Sequence, residues 1–346
     1  MRAVVVDAFG VLPEVREVPD PRPSPHGVVV RVEATGLCRS DWHAWVGHDP
    51  DVSLPHVPGH ELAGTVVAVG DEVRRWAPGR RVTVPFVCAC GACGVCRAGE
   101  GQVCPHQTQP GFTGWGSLAE LVALDHADVN LVDLPDDLSA DHAAALGCRV
   151  ATAYRAVADR GRVRPREWLS VHGCGGVGLS AVMVGVALGA RVVATDIDPA
   201  ALGAAAAAGA EVLVDATATV DVPAAVAEAT GGGAHVAVDA LGSPQTCADS
   251  VLALRRRGRQ VQVGLLPAAA GHPAVPMERV VAFELDLLGS HGLAAADYPR
   301  LLALVTSGRL PVGALVHRRI GLDEVPAALA ALGEGTLGAG ITVAVP

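Results

Sequence analysis

The chain has 346 residues, 50% of them hydrophobic and 18% charged, the balance of a packed globular protein and not of a disordered or fibrous one. That length exceeds what a single hydrophobic core sustains, so two domains are expected. A formal net charge of −10 argues against nucleic acid or an anionic membrane as the main partner, because either requires a positive field.

The opening residues, Met1-Arg2-Ala3-Val4-Val5-Val6-Asp7, place an acid where a secretory leader keeps its apolar segment. No later apolar run approaches the ~18 residues of a membrane span. A cytoplasmic protein is therefore expected, in which the nine cysteines stay reduced and their spacing reads as metal chemistry or packing. Aromatics are 3% of the chain while Val, Ala and Gly abound, which favours small-residue helices packed on buried strands in an α/β layering.

Residues 1–150 are rich in Pro, Gly and His and carry short Val-rich runs, Val28 to Val32 and Gly64 to Gly70 among them. These predict short strands joined by turns, with β-barrel character. Three separated stretches offer metal-binding side chains: Gly36-Leu37-Cys38-Arg39-Ser40-Asp41-Trp42-His43, Pro58-Gly59-His60-Glu61 and Leu146-Gly147-Cys148. Spacing alone does not join them, and taken singly His60 or Cys148 reads as structural. Cys90, Cys93, Cys96 and Cys104 differ, because they place four thiolates in fifteen residues with Gly91, Gly94, Gly99 and Gly101 freeing the loop to wrap. Four soft ligands on one tight loop match a closed, tetrahedral structural zinc site. Cys88 stands at an odd offset and reads as a bystander; Cys174 and Cys247 read as small packing residues.

From about 151 to 289 apolar strands alternate with Ala-rich stretches: Trp168 to His172, Arg191 to Thr195, Glu211 to Val214, His235 to Val238 and Gln260 to Val263. Such alternation predicts a parallel, doubly wound sheet. Gly173-Cys174-Gly175-Gly176-Val177-Gly178 follows the first strand and precedes an apolar helical stretch, Leu179 to Leu188, the context in which this glycine pattern binds a dinucleotide. Gly173 permits the tight turn, Gly175 lets the backbone approach the pyrophosphate, and Gly178 lets helix pack on strand while the helix N-terminus faces the anion. Asp196 ends the next strand, where a carboxylate accepts from ribose hydroxyls and repels a 2′-phosphate. Ile197-Asp198-Pro199 follow with no arginine, so NAD is preferred over NADP. The run Ala204 to Ala208 reads as an ordinary crossover helix. Arg255-Arg256-Arg257-Gly258-Arg259 reads as a solvated helix-to-strand loop, with an anion or partner contact as the alternative. From 290 the texture is mixed, ending in Ile341 to Val345, a strand free to pair back into the first domain.

In their order and content these motifs resemble the zinc-dependent medium-chain alcohol dehydrogenase family over essentially the whole chain. The resemblance implies a GroES-like, β-rich catalytic domain over 1–150 with a structural zinc lobe at about 88–105. A Rossmann NAD-binding domain follows over 151–289, and 290–346 return to the catalytic domain. It makes Cys38, His60 and Cys148 the ligands of a catalytic zinc with an open fourth position. Glu61 is put behind that metal, and Asp41 receives the second ring N–H of His60. Cys90, Cys93, Cys96 and Cys104 become the structural zinc site.

The implied reaction is reversible, NAD-linked oxidation of a primary or secondary alcohol to an aldehyde or ketone, with hydride leaving a zinc-bound alkoxide for the nicotinamide. Ser40 takes the alcohol proton and passes it through the cofactor ribose to His43, which releases it to solvent. Arg39 approaches the pyrophosphate, and Phe86 lines the substrate pocket, joined by Trp42, Trp45 or Trp115 where these do not simply pack. Implied partners are a small alcohol or carbonyl compound and further copies of the chain, as homodimer or homotetramer, with neither nucleic acid nor membrane.

One departure from the family stands out. Many relatives carry a basic residue in the last strand that reaches the cofactor phosphates, where this chain reads Leu337-Gly338-Ala339-Gly340-Ile341. Phosphate binding then leans on Arg39 and backbone amides. Within the same fold, amino-alcohols such as threonine are the alternative substrates. Polyols are disfavoured by Cys148, which polyol enzymes often replace with glutamate. A non-enzymatic protein that binds zinc and dinucleotide is the alternative of another class.

Overall fold

The computed structural model describes residues 1–266, 272–334 and 340–346, and the chain divides into two compact units. The first comprises Met1–Ala151, Gly292–Thr306 and Val312–Pro346; the second comprises Thr152–His291 and Ser307–Pro311.

A seven-stranded sheet organises the first unit, with Val28–Gly36 at its centre. Its β-branched residues suit a pleated, buried surface, and Val28, Val30 and Val32 pack with Leu62, Val66, Val82 and Val84 in one core. Val28–Gly36 runs antiparallel to Glu61–Val69, from Val28 opposite Val69 to Gly36 opposite Glu61, with two register shifts between. Ile341–Val345 pairs with the same strand, Val343 opposite Gly36, and lies parallel to Val316–Gly321. The central strand therefore ends beside the start of its neighbour, which sets Leu37 and Cys38 close to His60 and Glu61.

The second unit is built on six parallel strands in the order Val212–Asp215, Arg191–Asp196, Trp168–His172, Ala234–Asp239, Leu254–Gln262, Asp286–Gly289. Strand order reverses between the first strand of this unit, Trp168–His172, and the fourth, Ala234–Asp239, the switch point at which such sheets open a crevice at their carboxyl ends. The crossover helices start at clear signals. Asp198, Asp221 and Ser243 cap Pro199–Ala207, Val222–Thr230 and Pro244–Leu252 through their side chains, each cap contributing about 1 kcal/mol.

The arginine cluster differs from its sequence reading. The strand expected at Gln260 to Val263 begins at Leu254, which pairs with Ala234, and the next pair is Arg259 with Val236. Arg255, Arg256 and Arg257 thus ride on a wide bulge inside a strand; three arginines and a glycine carry none of the alternation that signals pairing. Among the described residues, no helix is long and apolar enough to cross a membrane.

Candidate metal centre and dinucleotide turn

In the first unit Cys38 caps the helix Arg39–Trp45. Its backbone N–H donates to Asp41 Oδ2 at 2.8 Å, while Asp41 Oδ1 accepts from Gly59 N–H at 3.0 Å and pairs with His60 Nδ1 at 2.9 Å. Asp41 and His60 are both wholly buried. Gly59 is required before His60: its φ is +106°, and a Cβ there would lie 2.5 Å from Leu118 N. Cys148 arrives from a segment held by the buried Tyr298, whose hydroxyl donates to Leu146 O at 2.9 Å.

Ligand atoms of Cys38, His60, Glu61 and Cys148 all lie within 4.8 Å of one another, and only Cys148 of the four keeps partial exposure. Because Nδ1–H is committed to Asp41, the neutral ring turns the lone pair of Nε2 inward, and that nitrogen is buried with no hydrogen-bond partner. A hydrogen bond from Cys148, together with His60 nearby, outweighs burial and holds the Cys38 thiol well below its ordinary pKa, while the shared bond and burial push Cys148 well above its own. Burial opposes charge on His60, but Asp41 and then Cys38 outweigh it and raise its pKa. Two sulfurs and an imidazole share protons where a divalent cation would satisfy all three, so the donor set fits zinc with one position open.

Glu61 is placed in this group, and both its oxygens are also engaged by a residue the sequence reading missed. Arg149 donates from Nε to both carboxylate oxygens at 2.9 and 3.1 Å, from Nη2 to Oε2 at 2.6 Å, and from its backbone N–H to Oε1 at 3.1 Å. Burial nevertheless outweighs Arg149 and raises the Glu61 pKa. Breaking a buried pair of this kind costs roughly 3–5 kcal/mol.

Ser40 Oγ lies 3.8 Å from Cys38 Sγ. His43 Nδ1 is 3.0 Å from Nδ1 of the exposed His48, a second partner absent from the sequence reading. Arg39 stacks over Trp42 at 4.5 Å and its Nη1 donates to Leu332 O at 2.8 Å. Phe86 meets the His60 ring edge-on at 6.3 Å, and Phe112, not anticipated, approaches it at 5.1 Å. Trp42 packs against His43 and His48, and Trp45 is buried with its indole N–H on Val11 O. Trp115 is not brought to this group: it lines a separate cavity of about 260 Å³ with Cys88 and Thr108.

The four-cysteine loop closes on itself. Sulfur separations are 3.4 Å for Cys93 to Cys96, 3.5 Å for Cys90 to Cys104, and 3.9 Å for Cys90 to Cys96 and Cys93 to Cys104. Thiolates at about 2.3 Å from a tetrahedral zinc stand about 3.8 Å apart, so the loop fits that ion. Backbone N–H groups around Cys90 lower its pKa to about 6, and burial raises Cys96 to about 12. Cys88 and Cys174 are buried, with pKa values raised to about 12 by burial, and Cys247 is buried too.

In the second unit Gly173, at φ +86°, turns the chain after Trp168–His172 into the helix Gly176–Ala187, whose N-cap is Gly175. A Cβ on Gly178 would fall 1.7 Å from Gly173 O, whereas one on Gly175 would meet nothing within 4 Å. Tight packing on one side and open space on the other form a cradle that fits a pyrophosphate beside Val177 and the helix N-terminus. Asp196 accepts from Cys174 N–H at 2.5 Å, Ile197 N–H at 2.7 Å and Asp198 N–H at 2.9 Å, which leaves lone pairs for ribose hydroxyls. The stretch Leu337 to Ala339, where a basic residue is missing from the sequence, lies outside the described residues.

Residues 24–136 match the family model for the alcohol dehydrogenase GroES-like domain, and residues 176–307 match that for zinc-binding dehydrogenase. An alcohol dehydrogenase of Rhizobium meliloti (strain 1021) is 36% identical over 312 residues, which covers 90% of this chain and 89% of that protein. An NAD-dependent alcohol dehydrogenase of Sulfurisphaera tokodaii is 32% identical over 339 residues, 95% of each. Among solved structures, alcohol dehydrogenase TADH from Thermus sp. ATN1 matches with a TM-score of 0.92 at 32% identity, covering 100% of this chain and 99% of that one. The chain belongs to the zinc-dependent medium-chain alcohol dehydrogenase family. It is an oxidoreductase of that family, in which residues 176–307 match the zinc-binding dehydrogenase model.

Proposed function

We propose that the chain interconverts a primary or secondary alcohol and its aldehyde or ketone, with Cys38, His60 and Cys148 holding a catalytic zinc and Cys90, Cys93, Cys96 and Cys104 a structural one. The observation that carries the reading is the buried, unpartnered Nε2 of His60 facing two thiols. When bound, the metal supplies Lewis acidity to the substrate oxygen and the dinucleotide accepts the hydride.

The chain's own residues do the remaining work. Asp41 fixes the tautomer of His60, and Arg149 holds Glu61 in reserve behind the ligands. Ser40 takes the substrate proton, and His43 passes it to the exposed His48 and out. Burial, then His48 and Arg39, lower the His43 pKa, so the ring is neutral and able to accept near pH 7. Phe86 and Phe112 keep water from the His60 side. Gly173, Gly175, Gly176, Val177 and Gly178 receive the pyrophosphate, Asp196 the ribose, and Arg39 adds a positive charge once it leaves Trp42.

The proposal also includes a cytoplasmic location and a homodimer or homotetramer built through cofactor-sheet edges. One edge is Asp286–Gly289, whose Leu287 is exposed. The test is turnover across a panel of alcohols and aldehydes with NAD and NADP, followed by absorbance of the reduced cofactor. Aliphatic or aromatic alcohols should react with NAD, and Cys38→Ala should abolish turnover while NAD still binds. Simple alcohols that stay inert while threonine or sorbitol reacts would overturn the substrate class.

A further inference from the structure

At one end of the second unit's sheet six arginines line a cavity of about 440 Å³, on a chain whose net charge is −10. The amino ends of four strands form it. Glu167 precedes Trp168–His172, His235 is the second residue of Ala234–Asp239, the arginine bulge opens Leu254–Gln262, and Asp286 begins the edge strand. The dinucleotide turn follows His172, at the carboxyl end of Trp168–His172, so the length of that strand, about 17 Å, separates the two places.

Only two carboxylates belong to the lining. Glu167 pairs with Arg259 at 2.7 Å and Asp286 with Arg162 at 3.1 Å, while Glu284 just outside pairs with Arg257 at 2.7 Å. The guanidinium groups of Arg164, Arg255 and Arg256 pair with no carboxylate among the described residues; Arg164 meets Glu167 only through its backbone N–H, at 3.1 Å. Arg256 is held instead over the Phe283 ring, at 4.4 Å.

His235 adds an independent sign. Trp168 N–H donates to its Nδ1 at 3.1 Å, so a neutral ring carries its proton on Nε2, which lies 2.7 Å from Arg255 Nη1. The other tautomer aims its proton at the Trp168 N–H. Either way one N–H faces another, and burial together with the Arg255 charge disfavours a charged ring. The contact lacks an acceptor, which an oxyanion oxygen supplies.

Backbone strain marks the same spot. Among the described residues only five non-glycine residues have positive φ, and Arg162 (+49°), Arg257 (+62°) and Glu284 (+49°) are three of them. Such conformations cost on the order of 1 kcal/mol each and persist where the fold has a use for the direction of the side chain.

We propose that this cavity binds a chain of two or three phosphates, free or carried on a nucleoside, through Arg164, Arg255 and Arg256. Guanidinium forks match phosphate oxygens in paired hydrogen bonds, and several forks around one concavity favour a multiply charged anion. The cavity suits a small molecule in size. A nucleic acid needs a basic stripe extending beyond it, which the surrounding acidic chain opposes.

Calorimetric titration of sodium tripolyphosphate into the zinc- and NAD-loaded protein, at about 0.1 M salt, tests this. One site per chain is expected, weakened at least about tenfold by Arg164→Gln with Arg255→Gln, both exposed positions, and with NAD affinity unchanged. ATP in a parallel titration separates the sources: equal affinity assigns the phosphate chain alone, and tighter ATP assigns a nucleotide. The proposal is overturned if neither compound binds, if tripolyphosphate displaces NAD, or if the double variant binds it as well as wild type. It is equally overturned if the double variant changes subunit number in light scattering while wild type binds neither compound, which makes the patch a contact between copies.

Discussion

Asp41 and His60 stand 2.9 Å apart with no exposed surface on either, and that hydrogen bond decides which imidazole nitrogen faces Cys38 and Cys148. A carboxylate here accepts from the ring, from Cys38 N–H and from Gly59 N–H at once. An amide accepts through one oxygen only and turns an N–H toward one of these donors. Asp41→Asn should weaken zinc at this site about 10- to 100-fold in chelator competition and lower turnover with it. Wild-type metal affinity in the variant would mean that Asp41 does not orient the ring.

The four-cysteine loop is short and glycine-rich, and its sulfurs are spaced for one ion, on which its order should depend. Cys104→Ser should remove one of two zinc ions per chain and lower the melting temperature by several degrees, leaving the Cys38 site loaded. Loss of both ions, or of neither, contradicts independent sites.

His172 is buried in the central strand of the cofactor sheet, and burial lowers its pKa to about 4. The fold favours the neutral ring, whereas the unfolded chain takes up a proton near pH 6.5. Stability contributed by this group is therefore complete above about pH 6.5 and is lost as pH falls toward about 4, where the loss reaches about 3 kcal/mol. Denaturant midpoints for wild type and His172→Gln, compared at pH 7 and pH 4.5, isolate the effect. Parallel pH dependences in the two proteins would show that His172 is not the group responsible.

His43 is half-buried beside His48, and burial, with His48 and Arg39 next in order, lowers its pKa. As a proton acceptor it works while neutral, so turnover should hold through pH 7 and fall on the acid side with a midpoint below the ordinary histidine value. His43→Gln should cost about 100-fold in kcat and remove that acid limb. An unchanged limb in the variant would place the titrating group elsewhere.

Legibility in the sequence follows how local each interaction is. The four cysteines span fifteen residues and the glycine turn six, so both sites show in spacing and context. Cys38, His60 and Cys148 are joined only by the fold, and it was the order of their motifs that linked them. Arg149 was missed because an arginine after a cysteine reads as a surface residue, and its partner Glu61 lies 88 positions away. Phe112 and His48 reach their rings through a loop and a helix end, neither with a periodic signal. Leu254 was left out of its strand because the arginine bulge interrupts the pattern that announces pairing.

One ion shared by Cys38, His60 and Cys148 is central to the proposed chemistry. Anomalous diffraction at the zinc edge, from crystals of the zinc-loaded protein, measures this directly. It should show a peak bounded by the two sulfurs and His60 Nε2, at about 2.3 Å from each sulfur and about 2.1 Å from the nitrogen, besides a peak within the four-cysteine loop. A single peak in that loop, with His60 Nε2 hydrogen-bonded elsewhere, would contradict it.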